Sequence, residues 1–202
     1  MVIASTPERQ APQTTREAEP SHLARYVFAA TLVQSSDAVL DVPCGTGYGS
    51  SILSEKAKSV CGVDVFDGAI THANECFKKE NNRFIVADAT NLRAELTDQS
   101  FDRIVSFEGI EHLNDQRAFL SEMRRLLAPQ GRLIISTPRK PHGSPFHTVE
   151  FSRSEFEMLL GEYVQIEAMY GQIFTDIFDL SVRSVDPDAY HRFNFIAVCK
   201  HR

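Results

Sequence analysis

The stretch Val39-Leu-Asp41-Val-Pro43-Cys-Gly45-Thr-Gly47-Tyr48-Gly-Ser50 most constrains what this chain can fold into. Val39, Leu40 and Val42 make a short apolar run suited to a strand covered on both faces. Gly45, Gly47 and Gly49 then allow a sharp turn and close backbone approach to a ligand, with no Cβ in the way. Helix-forming character from Ser50 to Lys58 follows. Strand, glycine turn and helix in this order place backbone N–H groups and a helix N-terminus where a nucleotide-like ligand binds. A tight connection with no ligand has the same local pattern, so the rest of the chain must decide.

The alternation continues. Ser59–Val65 reads as a second buried strand ending in Asp64, Ala69–Lys79 as a helix, and Arg83–Ala87 as a third strand before Asp88-Ala89. Phe101–Phe107 is a fourth strand, Asp115–Leu127 an amphipathic helix stopped by Pro129 and Gly131, and Arg132–Thr137 a fifth strand. Short strands alternating with helices predict right-handed crossovers and a parallel sheet. Upstream, residues 1–20 carry little to bury and read as a flexible tail, and Ser21 is placed to cap a helix running to about Gln34. Downstream, Pro138–Val149 is a long Pro/Gly/His-rich loop, Ser152 or Ser154 caps a helix to about Leu160, and Val164–Tyr170 and Phe193–Lys200 are the last strands. No clear pattern emerges between Gln172 and Tyr190. The expectation is one domain over 21–202.

The 202 residues carry a net charge of −6, which argues against a nonspecific nucleic-acid or anionic-membrane surface. Cys44, Cys61, Cys76 and Cys199 have no CxxC spacing and read as reduced and mostly buried, consistent with a cytoplasmic chain. There is no apolar run of membrane-spanning length and no signal-peptide pattern.

Ligands of open α/β sheets bind beyond the carboxyl ends of the strands, where Asp41, Asp64 and Asp88 fall. An acid ending the second strand suits ribose hydroxyls, because a carboxylate only accepts hydrogen bonds. A nicotinamide dehydrogenase would satisfy that geometry too; the GxGxG spacing, Asp41 within the motif, and Asp88-Ala89 weigh against it. VLDVPCGTGYGS (39–50), GVDV (62–65), FIVADATNL (84–92), FDRIVSFEGIEHL (101–113) and RLLAPQGRLIISTP (125–138) resemble, in order, the motifs of the class I S-adenosylmethionine (SAM) dependent methyltransferases. The resemblance implies a Rossmann-like α/β fold with a seven-stranded, mostly parallel sheet, an antiparallel last strand and helices on both faces. It also implies SAM as cofactor. Gly45 and Gly47 would lie beside its methionine part, Asp41 would orient the amino group and Asp64 hold the ribose. Asp88 and Ala89 would take the adenine, with Pro43, Tyr48, Val65 and Phe107 completing the pocket.

Glu108-Gly-Ile-Glu111-His112 follows the fourth strand on the same side. Two carboxylates and an imidazole can hold Mg²⁺ or Mn²⁺. The same residues can also serve structure or substrate orientation without a metal. With His147, in Phe146-His147-Thr-Val-Glu150-Phe-Ser-Arg, the box resembles the metal ligands of small-RNA 3′-terminal 2′-O-methyltransferases. The ExxEH part also resembles ubiquinone-biosynthesis O-methyltransferases. Carried over, Glu108, Glu111, His112 and His147 would hold one divalent ion, and a vicinal diol would be a fitting acceptor. Without metal, His112 or His147 is a candidate base. Arg139, Lys140 and His142 suit a solvated loop face, His22, Arg25 and Tyr26 helix packing, and His72 and His191 the surface. The expected enzyme is an O-methyltransferase acting on a small molecule or glycan. An RNA-terminal ribose methyltransferase and a non-catalytic SAM-binding partner protein are the alternatives.

Overall fold

The computed structural model describes residues 10–190 and 192–202; residues 1–9, in the expected tail, and His191 lie outside the described residues. Eight strands form one sheet: β1 (Ala38–Asp41), β2 (Ser59–Asp64), β3 (Asn82–Val86), β4 (Phe101–Ser106), β5 (Leu127–Pro138), β6 (Val164–Ile173), β7 (Asp176–Asp179) and β8 (Asn194–His201). Their order is β3-β2-β1-β4-β5-β8-β6-β7. The pairs from β3 to β5 are all parallel, and β8 runs antiparallel to both β5 and β6. The Rossmann-like architecture and the antiparallel last strand are as expected, but there are eight strands rather than seven. The additional one, β7, extends β6 as an edge hairpin.

Five helices cover the sheet: α1 (Pro20–Thr31), α2 (Tyr48–Leu53), α3 (Asp67–Cys76), α4 (Gln116–Leu126) and α5 (Arg153–Gly161). The strands read as unbroken apolar runs because side chains alternate between two covered faces. Leu40, Cys61, Ile104, Leu133, Ile135 and Phe195 enter one core with Phe119, Met123 and Phe156. Val39, Val60, Val105, Ile134 and Ile196 enter the other with Tyr26, Ile70 and Phe77.

Several element ends differ from the sequence reading for local reasons. Helix α1 starts at Pro20, because the Glu19 side chain, not Ser21, accepts from the backbone N–H groups of Ser21 and His22. Helix α2 ends at Leu53 rather than Lys58, and the chain turns so that the Lys58 amide reaches Asp37 O. Ser152 caps α5 in a reciprocal capping box with Glu155. The described part of the expected tail makes defined contacts: Thr46 Oγ1 donates to Gln10 O at 2.9 Å, and His72 Nε2 lies 2.7 Å from Pro12 O.

The sheet order reverses between β1 and β4, so the glycine turn after β1 and the Glu108 turn after β4 emerge side by side. A Cβ on Gly109 would stand 2.4 Å from Pro43 Cδ, which shows how closely the two turns approach. Across the first turn, the Tyr26 ring lies flat where a Cβ on Gly49 would stand, 2.0 Å from it. Gly49→Ala should therefore lower stability by about 1–3 kcal/mol, read by urea unfolding; an unchanged midpoint would show that the α1–α2 contact is loose.

Candidate functional site

The glycine turn is braced from below. Asp41 is completely buried at the end of β1, and its carboxylate accepts from Ser50 Oγ at 2.6 Å and Tyr26 Oη at 3.1 Å. Burial pushes its pKa up to about 7 despite these two donors, and the Asp64 charge adds to the rise. Asp41 thus joins α1, β1 and α2. Gly45 (φ 53°) and Gly47 (φ 89°) take left-handed conformations. A Cβ on Gly47 would also collide with Ala73 at 2.6 Å. The Gly45 amide donates to Asp64 Oδ2 at 3.0 Å and the Phe66 amide to Oδ1 at 2.9 Å, fixing the acid that ends β2 beside the turn.

The other expected cofactor residues gather at the same strand ends. Tyr48 is buried and edge-on to Tyr26 at 5.6 Å, and Phe107 meets Tyr26 at 5.1 Å. Asp88 is exposed, its Oδ1 accepting from the Thr90 amide and hydroxyl, and Ala89 is buried next to it. Val65 and Val86 remain 69% and 46% exposed. Apolar side chains left open at the ends of β2 and β3 suit one face of a flat ring.

Glu108 departs from the expected ligand set. It sits at φ 51°, in the left-handed region that a side chain adopts only under constraint. Its amide donates to Ser136 Oγ at 3.2 Å, Ser136 Oγ lies 3.1 Å from Oε1, and Oε2 stands 3.9 Å from Arg25 Nη2. A short 3₁₀ turn, Ile110–His112, then carries Glu111 and His112. Glu111, His112 and His147 each offer a ligand atom within 4.8 Å of the others; Glu108 is not in that group. Three of the four expected ligands converge.

Backbone bonds to the long loop produce this convergence. The Thr148 amide donates to Glu111 O at 2.8 Å, and His112 Nδ1 lies 3.1 Å from Phe146 O. A carbonyl only accepts, so this contact requires the proton on Nδ1 and leaves Nε2 of a neutral His112 with its lone pair. The imidazoles of His112 and His147 meet edge-on, centroids 5.0 Å apart. Glu111 is buried, with Oε2 accepting from Thr137 Oγ1 at 3.3 Å and Oε1 lacking a hydrogen-bond partner among the described residues. Burial first, and then the neighbouring Glu108, hold its pKa well above the usual carboxylate range. A buried carboxylate with an unpaired oxygen beside two imidazoles is a donor set that fits a divalent ion.

These groups line an open cleft of about 1310 Å³ that also includes His22, His142, Gln172, Phe174 and Asn194. The sequence reading missed several residues that line or support it. Ser136 and Thr137, at the end of β5, hold the two acids. Gln172 accepts from Arg25 Nη1 at 2.7 Å and donates to Ser21 O at 2.8 Å. Of the loop cations expected on a solvated face, Arg139 is largely covered and pairs with Asp188 at 2.5 Å, whereas Lys140 is exposed as expected and pairs with Glu155 at 3.2 Å. Arg25 and Tyr26 pack as expected, whereas His22 faces the cleft, its pKa lowered by burial.

Comparison with known proteins agrees with this geometry. Residues 40–135 match the family described as a methyltransferase domain. Over 130 residues the chain is 34% identical to a probable S-adenosylmethionine-dependent methyltransferase of Mycolicibacterium smegmatis, covering 60% of this chain and 49% of that one. Over 141 residues it is 30% identical to a demethylmenaquinone methyltransferase of Beutenbergia cavernae, covering 70% and 53%. The chain thus spans about half the length of these curated relatives. A chain from the complex between the Haloferax volcanii Trm112 methyltransferase activator and a methyltransferase superposes with a TM-score of 0.75. It covers 93% of this chain and 94% of that one, and its 17% identity speaks to fold alone. Residues 40–135 thus form a methyltransferase domain similar to those of SAM-dependent methyltransferases.

The raised Asp41 pKa has a signed consequence. The folded state holds that proton between the carboxylate's ordinary range near pH 4 and about 7, so Asp41 favours folding less as pH rises through this window. Asp41→Asn should flatten the fall in stability between pH 4 and 7, as read from denaturant midpoints. Parallel pH profiles for the two proteins would contradict the assignment.

Proposed function

We propose that this chain is a SAM-dependent O-methyltransferase whose acceptor is a hydroxyl, one of a vicinal pair, on a small molecule or glycan. We also propose that a divalent metal assists at Glu111, His112 and His147; of the expected Mg²⁺ and Mn²⁺, the two imidazoles favour Mn²⁺. The single observation carrying the metal part is the meeting of those three side chains, from segments far apart in sequence, in a cleft adjoining the glycine turn. In this reading the cofactor pocket comprises Asp41, Pro43, Gly45, Gly47, Tyr48, Asp64, Val65, Asp88, Ala89 and Phe107. Asp41 acts from beneath the turn, because both of its hydroxyl partners belong to the protein.

Such an ion would supply positive charge that lowers the pKa of an acceptor hydroxyl and fixes its position. The chain's own residues do the remaining work. Glu111 offers its unpaired oxygen from a buried position, and His112 presents Nε2 because Phe146 O engages Nδ1. Glu108, held in its constrained conformation by Ser136, lines the cleft beside Arg25, placed to orient a hydroxyl by accepting from it. In-line displacement of a methyl group needs such alignment more than it needs covalent help. Phe146 and Phe174, both more than half exposed, flank the cleft and suit a stacked ring such as a catechol or sugar. The cleft is open enough for an RNA end, but the net negative charge favours the smaller acceptor.

A metal-free reading rests on the same two imidazoles. In a neutral His112 with its Nδ1 proton on Phe146 O, Nε2 is the nitrogen that can accept the hydroxyl proton directly. S-adenosylhomocysteine release from SAM, with catechol, sugar-diol and nucleoside acceptors, separates the two. Turnover should fall at least about 100-fold with EDTA, return with Mn²⁺, and be lost in Glu111→Gln and His147→Ala. Turnover indifferent to EDTA but lost in His112→Ala would replace the metal reading with the base. Activity unchanged in Glu111→Gln and His147→Ala would remove these residues from the chemistry.

A further inference from the structure

His147 has a second set of neighbours. On its solvent side, His142, His147 and Glu150 each offer a ligand atom within 4.8 Å of the others. We propose that these three residues form an outer cation site, selective for a zinc- or cobalt-like ion, adjoining the inner group of Glu111, His112 and His147. The proposal rests on the reading above only in sharing His147.

The outer set is held in place by its own backbone. Glu150 Oε2 accepts from the His142 amide at 2.9 Å, and Oε1 accepts from the Gly143 amide at 2.6 Å. The carboxylate therefore closes residues 142–150 into a ring. Gly143, at φ +77°, provides the left-handed turn this closure needs, and a side chain there would be strained. The His142 and His147 rings stack at 25°, centroids 4.8 Å apart, and His147 Nδ1 stands 3.5 Å from Glu150 Oε1. Both imidazoles thus lie beside a carboxylate that is already fixed, the kind of secured ligand shell that metal centres use.

Donor chemistry sets the ion class. Two imidazoles and one carboxylate suit Zn²⁺, Co²⁺ or Fe²⁺ better than Mg²⁺, which takes oxygen ligands and keeps much of its water. Tetrahedral bonds of about 2.1 Å put donor atoms roughly 3.4 Å apart. The exposed His142 ring can swing in to close that set without disturbing the core. A neutral imidazole has one lone-pair nitrogen, so His147 serves one ion at a time. The two triads are therefore alternative stations: the outer one open to solvent, the inner one deep in the cleft.

Titration of the full chain with Co²⁺, followed by visible ligand-field absorption, tests this. Gln at position 111 preserves an oxygen for Thr137 while weakening the inner set, so Glu111→Gln isolates the outer one. Glu111→Gln should still bind Co²⁺, and adding His142→Ala should weaken that binding by at least about 10-fold. Binding abolished by Glu111→Gln alone would overturn the outer site and leave the inner one standing. Equal binding with and without His142→Ala in the Glu111→Gln protein would overturn it as well. If the wild type binds no Co²⁺, both sites fail. Retained outer binding, with turnover indifferent to EDTA, would sink only the metal-assisted reaction.

Discussion

One buried carboxylate underlies the glycine-turn end of this molecule. Asp41 lies wholly out of solvent, where an unpaired charge would be prohibitive, and two hydroxyls from different helices satisfy it. Through them it fixes α1 and α2 against the end of β1, and with them the left-handed glycines whose amides form the turn. Asp64 then clamps that turn from the neighbouring strand. Geometry at the adjacent cleft follows, because Pro43 packs against Gly109 and so sets where the Glu108 turn emerges.

The cleft itself is stitched together from sequence-distant parts. The 3₁₀ turn after β4 presents Glu111 and His112, and the loop after β5 returns His147 to them through the Thr148 and Phe146 backbone. Ser136 and Thr137, buried at the end of β5, position one acid each. Polar atoms are expensive at such depth unless they are partnered. Glu111 Oε1, unpaired among the described residues, is the local cost on which the proposed metal site draws.

Much of the fold was legible in the sequence because its strands are short apolar runs punctuated by glycine and acid, and parallel sheets buried on both faces have that signature. The β6–β7 hairpin was not. Its turn puts Phe174 at φ 54°, a position where Gly or Asn would have announced a hairpin. The three acids could be placed at the strand ends, but the closure of Asp41 by Tyr26 and Ser50 could not, since it depends on tertiary packing. Glu108, Glu111 and His112 read as one cluster after the fourth strand. Glu108 takes a left-handed conformation ahead of the 3₁₀ turn, so the first acid goes to Ser136 and Arg25 instead. Glu150 lay in plain view, yet its role appears only when the loop closes on its carboxylate.

The central claim is that the cofactor's methyl group and a divalent ion meet in one cleft. Nuclear relaxation of ¹³C-methyl SAM bound to the full chain, with and without Mn²⁺, measures that proximity directly. Strong paramagnetic broadening of the methyl resonance, lost in His147→Ala while SAM binding persists, is the result this account predicts. A methyl signal that Mn²⁺ leaves unchanged, with SAM bound, would contradict it.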